Sequence, residues 1–374
     1  MDLDCRALVA ERIRQRGPIT VAEFMDLALY APEVGYYARA AQRSGRAGDF
    51  VTSVDAGAVF GALLAERFAA WWRAMGNGAH GPARIDLVEA AAGNGRLTRD
   101  VLDAAARRDP AFYQAIASHL VERSAQARAA HPDVLASHGP RLASSGEALP
   151  AGIDGIVFAN ELLDALPVHL VEMGDAGLSE IYVDLASGRL VDRPGPLSSP
   201  ALAAYLADVG ITLGAGARAE INLAAVDWVT GVAARIRRGF LALIDYGYEA
   251  AELYSEARRQ GTLATYHRHL VDAPDAGAPA GPAWLADPGN RDLTSHVDFT
   301  AVRRAAERAG LETVTVTSQT RFLLDILEGS PLVAELSAPD RLAERLALKT
   351  LLMPGGLGST LTVMVFAKKG AGIE

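Results

Sequence analysis

The 374-residue sequence has a single cysteine, no long hydrophobic run and no cluster of basic residues. One cysteine, Cys5, excludes an intramolecular disulfide and leaves too few thiolates for a cysteine-based zinc site. No apolar stretch reaches the ~20 residues that cross a bilayer, and the net charge of −9 argues against a nucleic-acid partner. Residues 1–4 have neither the basic nor the apolar region of a signal peptide. We therefore expect a cytoplasmic protein in a reducing compartment, with neither membrane nor nucleic acid as partner.

The sequence does contain an alternation of apolar strands and helices. Short apolar runs predict strands at residues 85–89, 119–122, 153–159 and 240–246. Helical segments follow the first two of them. Such alternation predicts βαβ units and a mostly parallel sheet in an α/β fold.

The segments around these strands predict four regions. Residues 169–193 suggest a β-meander that is inserted between the third and fourth strands, and residues 271–292, rich in Pro, Gly and Ala, predict a long ordered loop or a lid. The regions are a helical segment at 1–82, the first half of the core at 83–167, an inserted substrate-binding subdomain at 168–238 and the second half of the core at 239–374.

Polar and acidic side chains follow the third strand, in what we call the acidic segment (residues 160–167). Asn160, Glu161 and Asp164 come directly after the apolar run 153–159. Ligands of open α/β sheets bind at the carboxyl ends of strands, so these groups are site candidates. The alternative is helix capping, with Asn160 as the N-cap and Asp164 in the first helical turn.

A second candidate is the glycine turn (residues 89–95, Glu-Ala-Ala-Ala-Gly-Asn-Gly), which joins the first strand to a helix. Glycines at such a turn let the backbone approach a nucleotide cofactor. A dinucleotide site needs a third glycine where Thr98 stands and an acid about 20 residues further on, and residues 112–117 contain none. Glu122 instead ends the second strand, where a carboxylate can accept hydrogen bonds from ribose hydroxyls. A plain strand-to-helix turn with a surface Glu122 is the alternative.

The glycine turn together with Glu122 resembles the cofactor site of class I S-adenosylmethionine-dependent methyltransferases. The acidic segment narrows the resemblance to the MidA family, which includes a mitochondrial complex I assembly factor that methylates an arginine. Other motifs match the family in order and spacing: Gly35-Tyr36-Tyr37, Gly48-Asp49-Phe50, Phe60-Gly61, Asp245-Tyr246-Gly247, Gly261-Thr262-Leu263, Asp292 to Phe299 and Gln319-Thr320. The resemblance implies a Rossmann-like, mostly parallel sheet whose last strand is antiparallel.

The resemblance also implies a cofactor, S-adenosyl-L-methionine, and a protein side chain as acceptor, the guanidinium of an arginine. Carboxylates suit that acceptor because they localise its charge and bind its planar fork. For Asp49 a simple turn acid, and for Asp164 and Asp245 a capping role, remain alternatives. The implied catalytic residues are Glu161, Asn160, Asp164 and Asp245. The implied cofactor-binding residues are Glu89, Ala91, Gly93, Gly95, Glu122, Asp49, Phe50 and Asn160.

Ala91 departs from the family pattern, which has a glycine there. If the position needs a positive φ, alanine strains it by roughly 1 kcal/mol or more. The departure motivates a second hypothesis, a cofactor-binding assembly or scaffold protein with weak or no turnover. A dehydrogenase is a distant third, because of Thr98 and the missing acid.

The histidines do not predict a metal site. His267 and His269 alternate along an extended segment and so face opposite ways, and no acid accompanies the histidines at ligand spacing. His269 or His296 could instead donate or accept a hydrogen bond in a substrate channel. A homo-oligomer is possible, and the sequence does not specify the methyl acceptor.

Overall fold

The secondary structure comes from a computed structural model that describes residues 4–39, 52–76, 81–267, 270–271, 282–353 and 357–371. The α-helices are α1 Cys5–Arg16, α2 Val21–Tyr30, α3 Ala58–Ala74, α4 Arg96–Arg108, α5 Pro110–Ala115, α6 Ala125–Val134, α7 Ala201–Val209, α8 Leu223–Arg235, α9 Ala250–Leu253, α10 Phe299–Arg308, α11 Gln319–Leu327, α12 Pro331–Leu336, α13 Leu342–Leu352 and α14 Leu357–Thr360. The strands are β1 Ile19–Thr20, β2 Ile85–Ala90, β3 Ile116–Val121, β4 Leu142–Gly146, β5 Ile153–Asn160, β6 His169–Gly174, β7 Gly177–Ala186, β8 Arg189–Gly195, β9 Arg218–Ile221, β10 Ile236–Tyr248, β11 Ala264–His267, β12 Leu270–Val271, β13 Asp292–Thr294, β14 Val297–Asp298, β15 Leu311–Ser318 and β16 Leu361–Lys368.

The chain divides into two compact units that each draw on distant segments. The first unit comprises Met1–Phe50, Leu163–Val229 and Gly247–Ala305; the second comprises Val51–Leu162, Thr230–Tyr246 and Ala306–Glu374. Within the described part of the chain, no helix is long and apolar enough to cross a membrane.

Seven strands of the second unit are adjacent in the order β15-β16-β10-β5-β2-β3-β4, and the short β14 pairs with the end of β10 as the eighth strand of this sheet. Strands β10, β5, β2, β3 and β4 run parallel to one another. The last strand, β16, runs antiparallel to both β10 and β15. The predicted α/β sheet with an antiparallel last strand is therefore confirmed.

Apolar residues of α3 pack against the strands of this sheet. Phe68 lies 5.1 Å from Phe158 of β5 between ring centroids, and Trp71 stacks on Phe240 of β10 at 4.9 Å. Each such buried aromatic side chain stabilises the fold by roughly 1.5–3 kcal/mol. Helix α3 thus covers the core in which the site strands are fixed.

The central strands approach one another unusually closely near their amino ends. A Cβ atom on Gly155 of β5 would lie 1.9 Å from the Asp86 carbonyl oxygen of β2. A Cβ atom on Gly239 of β10 would lie 1.7 Å from the Gly155 carbonyl oxygen. Only glycine fits either position, because no backbone oxygen can move that far.

The first unit is built on antiparallel sheets. Strands β1, β7, β6 and β9 are adjacent in that order, and β8 pairs with β7. The predicted meander at 169–193 is confirmed as β6–β7–β8, and β1 from the N-terminal region joins it. A second sheet has the order β12-β11-β13. Of the predicted loop 271–292, residues 272–281 lie outside the described residues, and Trp284 is buried against Phe24 at 5.8 Å.

The capping alternative for the acidic segment was wrong. Residues 161–166 form a turn and no helix, so Asn160 and Asp164 do not cap one there. Helix α10 begins at Phe299, since Asp298 accepts a hydrogen bond from the Ala301 N–H (3.0 Å) and so caps the first turn.

Candidate active site

The candidate site lies at the carboxyl edge of the parallel strands in the second unit. Ala90 at the end of β2 pairs with Val121 of β3 and with Ala159 of β5. Asn160, at the end of β5, pairs with Ile244 of β10. The register therefore brings the residues that follow these strands to one edge of the sheet, where ligands of parallel sheets bind.

The glycine turn has three residues in the left-handed region. Ala91 has φ 55°, Gly93 φ 51° and Gly95 φ 84°. A Cβ atom on Gly95 would lie 2.7 Å from a methyl carbon of Leu120, so that position needs glycine for both packing and backbone conformation. A Cβ atom on Gly93 would meet nothing within 4 Å. The turn thus leaves open space beside Gly93, next to the start of α4, as a bound cofactor requires.

Glu89 ties β2 to the first turn of α4. Its carboxylate accepts hydrogen bonds from the Thr98 N–H (3.1 Å) and from the Thr98 hydroxyl. Burial raises the pKa of Glu89 to about 8, and the hydrogen bonds from Thr98 oppose that shift. Thr98, whose presence argued against a dinucleotide motif, holds the Glu89 carboxylate at the start of the glycine turn through these two hydrogen bonds.

Glu122 supports the glycine turn from the end of β3. One carboxylate oxygen accepts the Gly93 N–H at 2.9 Å and the other accepts the Ser124 N–H at 2.7 Å. Burial raises the pKa of Glu122, against hydrogen bonds from backbone N–H groups. Glu122 therefore lies next to the glycine turn, as predicted. Its contact with the ribose of a cofactor stays a prediction.

Sequence reasoning missed His131, which contacts the same turn from α6. Its ring lies between the Gly93 carbonyl oxygen, 2.8 Å from Nε2, and the Ser145 hydroxyl oxygen, 2.8 Å from Nδ1. The residue is fully buried. No motif marks a single histidine in an alanine-rich helix, so only the structure could identify it.

Glu161, the second residue of the acidic segment, has a strained conformation. Its φ is 54°, a left-handed value that costs a non-glycine residue roughly 1–2 kcal/mol, and its N–H donates to the Ile244 carbonyl at 2.8 Å. The Asn160 side-chain amide donates to a Glu161 carboxylate oxygen at 2.9 Å. The Asn160 Oδ1 atom is buried without a partner among the described residues. Strain that local hydrogen bonds maintain is typical of functional sites.

Burial raises the pKa of Glu161 to about 8. The hydrogen bond from Asn160 opposes this shift, the charge of Asp245 adds to it, and a hydrogen bond from the Ser53 backbone opposes it. Asp55, also nearby, accepts the Thr52 N–H at 3.0 Å and pairs with Arg96 of α4. Asp55 thus caps the short turn beside Glu161.

Asp245 holds the turn that contains Glu161. One oxygen accepts the Leu162 N–H at 3.1 Å and the other accepts the Tyr246 N–H at 2.9 Å. Its side chain is 2% exposed. The contacts support the capping alternative for Asp245, and a direct catalytic role stays a prediction.

The other predicted site residues belong to the first unit or lie outside the described residues. Asp164 belongs to the first unit, where its carbonyl oxygen accepts the Ser295 N–H at 2.9 Å. Asp49 and Phe50 lie outside the described residues, as does His269. His296 packs edge-on against Tyr248 at 5.2 Å. In the described ranges, no three His, Cys, Asp or Glu side chains form a group that could hold a metal ion.

Comparison with known proteins identifies the family of this chain. A family described as "Putative S-adenosyl-L-methionine-dependent methyltransferase" matches residues 63–317, which is more than half of the chain. The chain belongs to this family. It is a methyltransferase with S-adenosylmethionine as cofactor, and the glycine turn and Glu122 lie within the matched residues.

Curated relatives of this methyltransferase carry a more specific name. It is 30% identical to the protein arginine methyltransferase NDUFAF7 homolog, mitochondrial, of Drosophila melanogaster, over 80% of this chain and 69% of the relative. It is 31% identical to protein arginine methyltransferase NDUFAF7, mitochondrial, of Mus musculus, over 79% and 68%.

A solved structure supports the cofactor directly. A candidate methyl transferase from Burkholderia thailandensis, bound to S-adenosyl-homocysteine, is 31% identical and superposes with a TM-score of 0.82 over 98% of this chain and 92% of that one. A native structure from the same organism gives a TM-score of 0.80 at 31% identity, with the same shares of both chains covered. The similarity extends over nearly the whole chain, beyond the sheet alone.

Proposed function

We propose that this methyltransferase transfers a methyl group from S-adenosylmethionine to the guanidinium of an arginine in a protein. The observation that carries the proposal is the Glu161 carboxyl group, which burial and a left-handed backbone fix at the carboxyl edge of the sheet. The names of the curated relatives support the same acceptor.

A guanidinium needs acceptors and presents only donors. Glu161 offers carboxylate oxygens, and the adjacent Asn160 Oδ1 offers an acceptor that lacks a partner among the described residues. In this proposal Glu161 binds two N–H groups of the fork and concentrates the positive charge on them. The remaining nitrogen then keeps its lone pair available for the methyl group.

The proton balance also favours Glu161. The cofactor supplies an electrophilic methyl group when bound. As the new nitrogen–carbon bond forms and the methyl–sulfur bond breaks, leaving S-adenosylhomocysteine, the guanidinium loses one proton from an N–H group that Glu161 binds. A carboxylate with a pKa of about 8 is a suitable general base near neutral pH, so Glu161 receives that proton and releases it to solvent.

The other predicted residues have supporting roles in the proposal. Asp245 keeps the Glu161 turn in place through the Leu162 N–H. The glycine turn and Glu122 hold the cofactor, with Asp49 and Phe50 as further predicted contacts. Asp164 remains a proposed acceptor-side carboxylate.

The proposal is tested with cofactor carrying an isotopically labelled methyl group. After incubation with a cell extract, labelled proteins are hydrolysed in acid and the methylated amino acids are separated. We expect the label in methylarginine, and its loss with the Glu161→Gln variant. Label in methyllysine or confined to small molecules would refute an arginine acceptor.

Ala91 favours one alternative, a cofactor-binding assembly protein with weak turnover. Its φ of 55° confirms that the position is left-handed, so the alanine is strained there. That alternative predicts tight binding of S-adenosylhomocysteine without label transfer to any protein.

Partners and location are part of the proposal. We propose a protein substrate without nucleic-acid or membrane partners, and homo-oligomers are compatible with it. A cytoplasmic location is proposed from the sequence, whereas the curated relatives are named mitochondrial. Fractionation of cells that express the tagged full chain distinguishes the two compartments.

A further inference from the structure

The conformation of the glycine turn depends on groups outside it. The peptide groups on both sides of Gly93 are held by side chains of other elements: Glu122 accepts the Gly93 N–H at 2.9 Å, and the His131 ring lies 2.8 Å from the Gly93 carbonyl oxygen. Glu122 was predicted from the sequence, but nothing assigns a function to His131.

The geometry points to His131 as a positioning residue for cofactor binding, which fixes the Gly93 carbonyl and so the conformation of the glycine turn. The inference rests on the family's cofactor and is independent of the proposed arginine acceptor.

The hydrogen bonds of His131 require one tautomer. A carbonyl oxygen can only accept, so Nε2 must carry the proton that it donates to Gly93. Nδ1 is then free to accept the hydrogen of the Ser145 hydroxyl, 2.8 Å away. Burial lowers the pKa of His131, which favours the neutral ring. The Gly93 carbonyl therefore selects the tautomer, and the Ser145 hydroxyl on β4, which can donate as well as accept, accommodates it.

The packing around the ring restricts its position. His131 is fully buried, and its Cδ2 atom would lie 3.3 Å from a Cβ atom placed on Gly95. The ring thus contacts the turn at both of its later glycines, through a hydrogen bond at Gly93 and through packing at Gly95. A change in the ring position would move the backbone that faces the cofactor.

Two amide substitutions separate the two hydrogen bonds. The side-chain amide of glutamine reaches about as far as Nε2, and that of asparagine about as far as Nδ1. We expect His131→Gln to keep the bond to Gly93 and to raise the Kd for S-adenosylhomocysteine no more than about threefold. We expect His131→Asn, which cannot reach Gly93, to raise it by tenfold or more, a loss of about 1.4 kcal/mol.

The matched control is another buried histidine of the same unit. His138 lies between the Tyr113 hydroxyl (3.0 Å) and Asp103 (3.1 Å) and does not contact the glycine turn. His138→Asn should lower the midpoint of thermal unfolding while the Kd stays within twofold of the original. Calorimetry with S-adenosylhomocysteine measures binding in each folded variant, without any acceptor.

Three results would overturn the inference. The first is an unchanged Kd in a folded His131→Asn protein, and the second is an equal loss in the Gln and Asn variants. The third is a neutral ring protonated at Nδ1, and it needs no variant. Nitrogen NMR of the imidazole in the original protein at pH 7 measures this, and we expect the proton on Nε2. A ring protonated at Nδ1 could not donate to Gly93, so this measurement decides the matter even if His131→Asn does not fold.

Discussion

Two adjacent strands, β2 and β5, end in the same unusual way and with different consequences. Each is followed by a non-glycine residue in the left-handed region, Ala91 at φ 55° and Glu161 at φ 54°. Ala91 is exposed and carries only a methyl group, whereas Glu161 carries a carboxyl group whose pKa is raised to about 8 by burial. The same backbone strain thus accompanies a methyl group in one turn and, in the other, the carboxyl group that we propose as the catalytic base.

The contrast indicates what maintains each conformation. The Glu161 turn is held by hydrogen bonds from the Glu161 N–H to Ile244 and from the Leu162 N–H to Asp245. The glycine turn is held instead at Gly93, by Glu122 and His131. Strain at Glu161 therefore positions a functional group, while strain at Ala91 is only tolerated by a turn that other residues stabilise.

The largest effect is expected when the carboxyl group of Glu161 is removed without changing its shape. Glu161→Gln should lower kcat/KM by about 100-fold or more, since the variant loses both an anionic acceptor and the base. The Kd for S-adenosylhomocysteine should change by less than about threefold. The matched control is Glu312→Gln on β15, where the side chain is exposed. Steady-state kinetics with a methylated product readout measure the effect, and near-normal turnover would remove Glu161 from the mechanism.

The pH dependence should reflect the same group. A pKa raised to about 8 means that Glu161 is mostly protonated at pH 6 and must lose a proton to act as a base. With limiting acceptor, kcat/KM should rise roughly fiftyfold from pH 6 to pH 8 and level off above it. Glu89 also has a pKa of about 8, so the residual activity of Glu161→Gln provides the control. If that variant shows the same rise, the titrating group is not Glu161.

A smaller effect is expected from loosening the turn. Asp245→Asn retains one acceptor oxygen for two N–H donors, at a cost of about 1–3 kcal/mol in the free energy of unfolding. The kcat/KM of the folded protein should fall by about tenfold, because Glu161 loses its fixed orientation. Denaturant unfolding and kinetics measure the two quantities. Asp154→Asn, at the half-exposed amino end of β5, is the control. A stability loss with unchanged kcat/KM would mean that the turn geometry is irrelevant to the reaction.

The smallest effect is expected at Ala91. Ala91→Gly removes the left-handed strain and should increase the free energy of unfolding by up to about 1 kcal/mol. Because the methyl group is exposed, kcat/KM should stay within about twofold. Chemical denaturation measures the gain. A lower stability would contradict the strain assignment, and a large rise in kcat would support the scaffold alternative for the natural sequence.

The sequence predicted the strands that carry the site better than the site's internal contacts. The apolar runs at 85–89 and 153–159 fixed β2 and β5 because both are buried in a parallel sheet. Strand β4 was missed, since Leu-Ala-Ser-Ser-Gly is polar and mostly exposed at the sheet edge. It is a strand because it forms hydrogen bonds to β3, and its sequence shows no hydrophobic periodicity from which a strand could be predicted.

The polar contacts were harder to predict for a related reason. Asn160 and Glu161 lie at the end of a predicted strand, so their location was predictable. The capping alternative was wrong because Glu161 has a positive φ and residues 161–166 form a turn and no helix. No local propensity predicts a left-handed glutamate. His131 and Ser145 are distant from the glycine turn in sequence. The β3–β4 register places Ser145 beside Leu120, and His131 of α6 links Ser145 to the Gly93 carbonyl.

Gly155 affects how an alanine scan of this enzyme would be interpreted. A single methyl group there would collide with the Asp86 carbonyl of the neighbouring strand, and the register that aligns the strand ends would be lost. The residue lies five positions before Asn160 along β5, about 17 Å from the edge where the ligands bind. An alanine scan that scored activity alone would rank Gly155 among the essential residues. Only a parallel measurement of folding would show that the defect is architectural and not chemical.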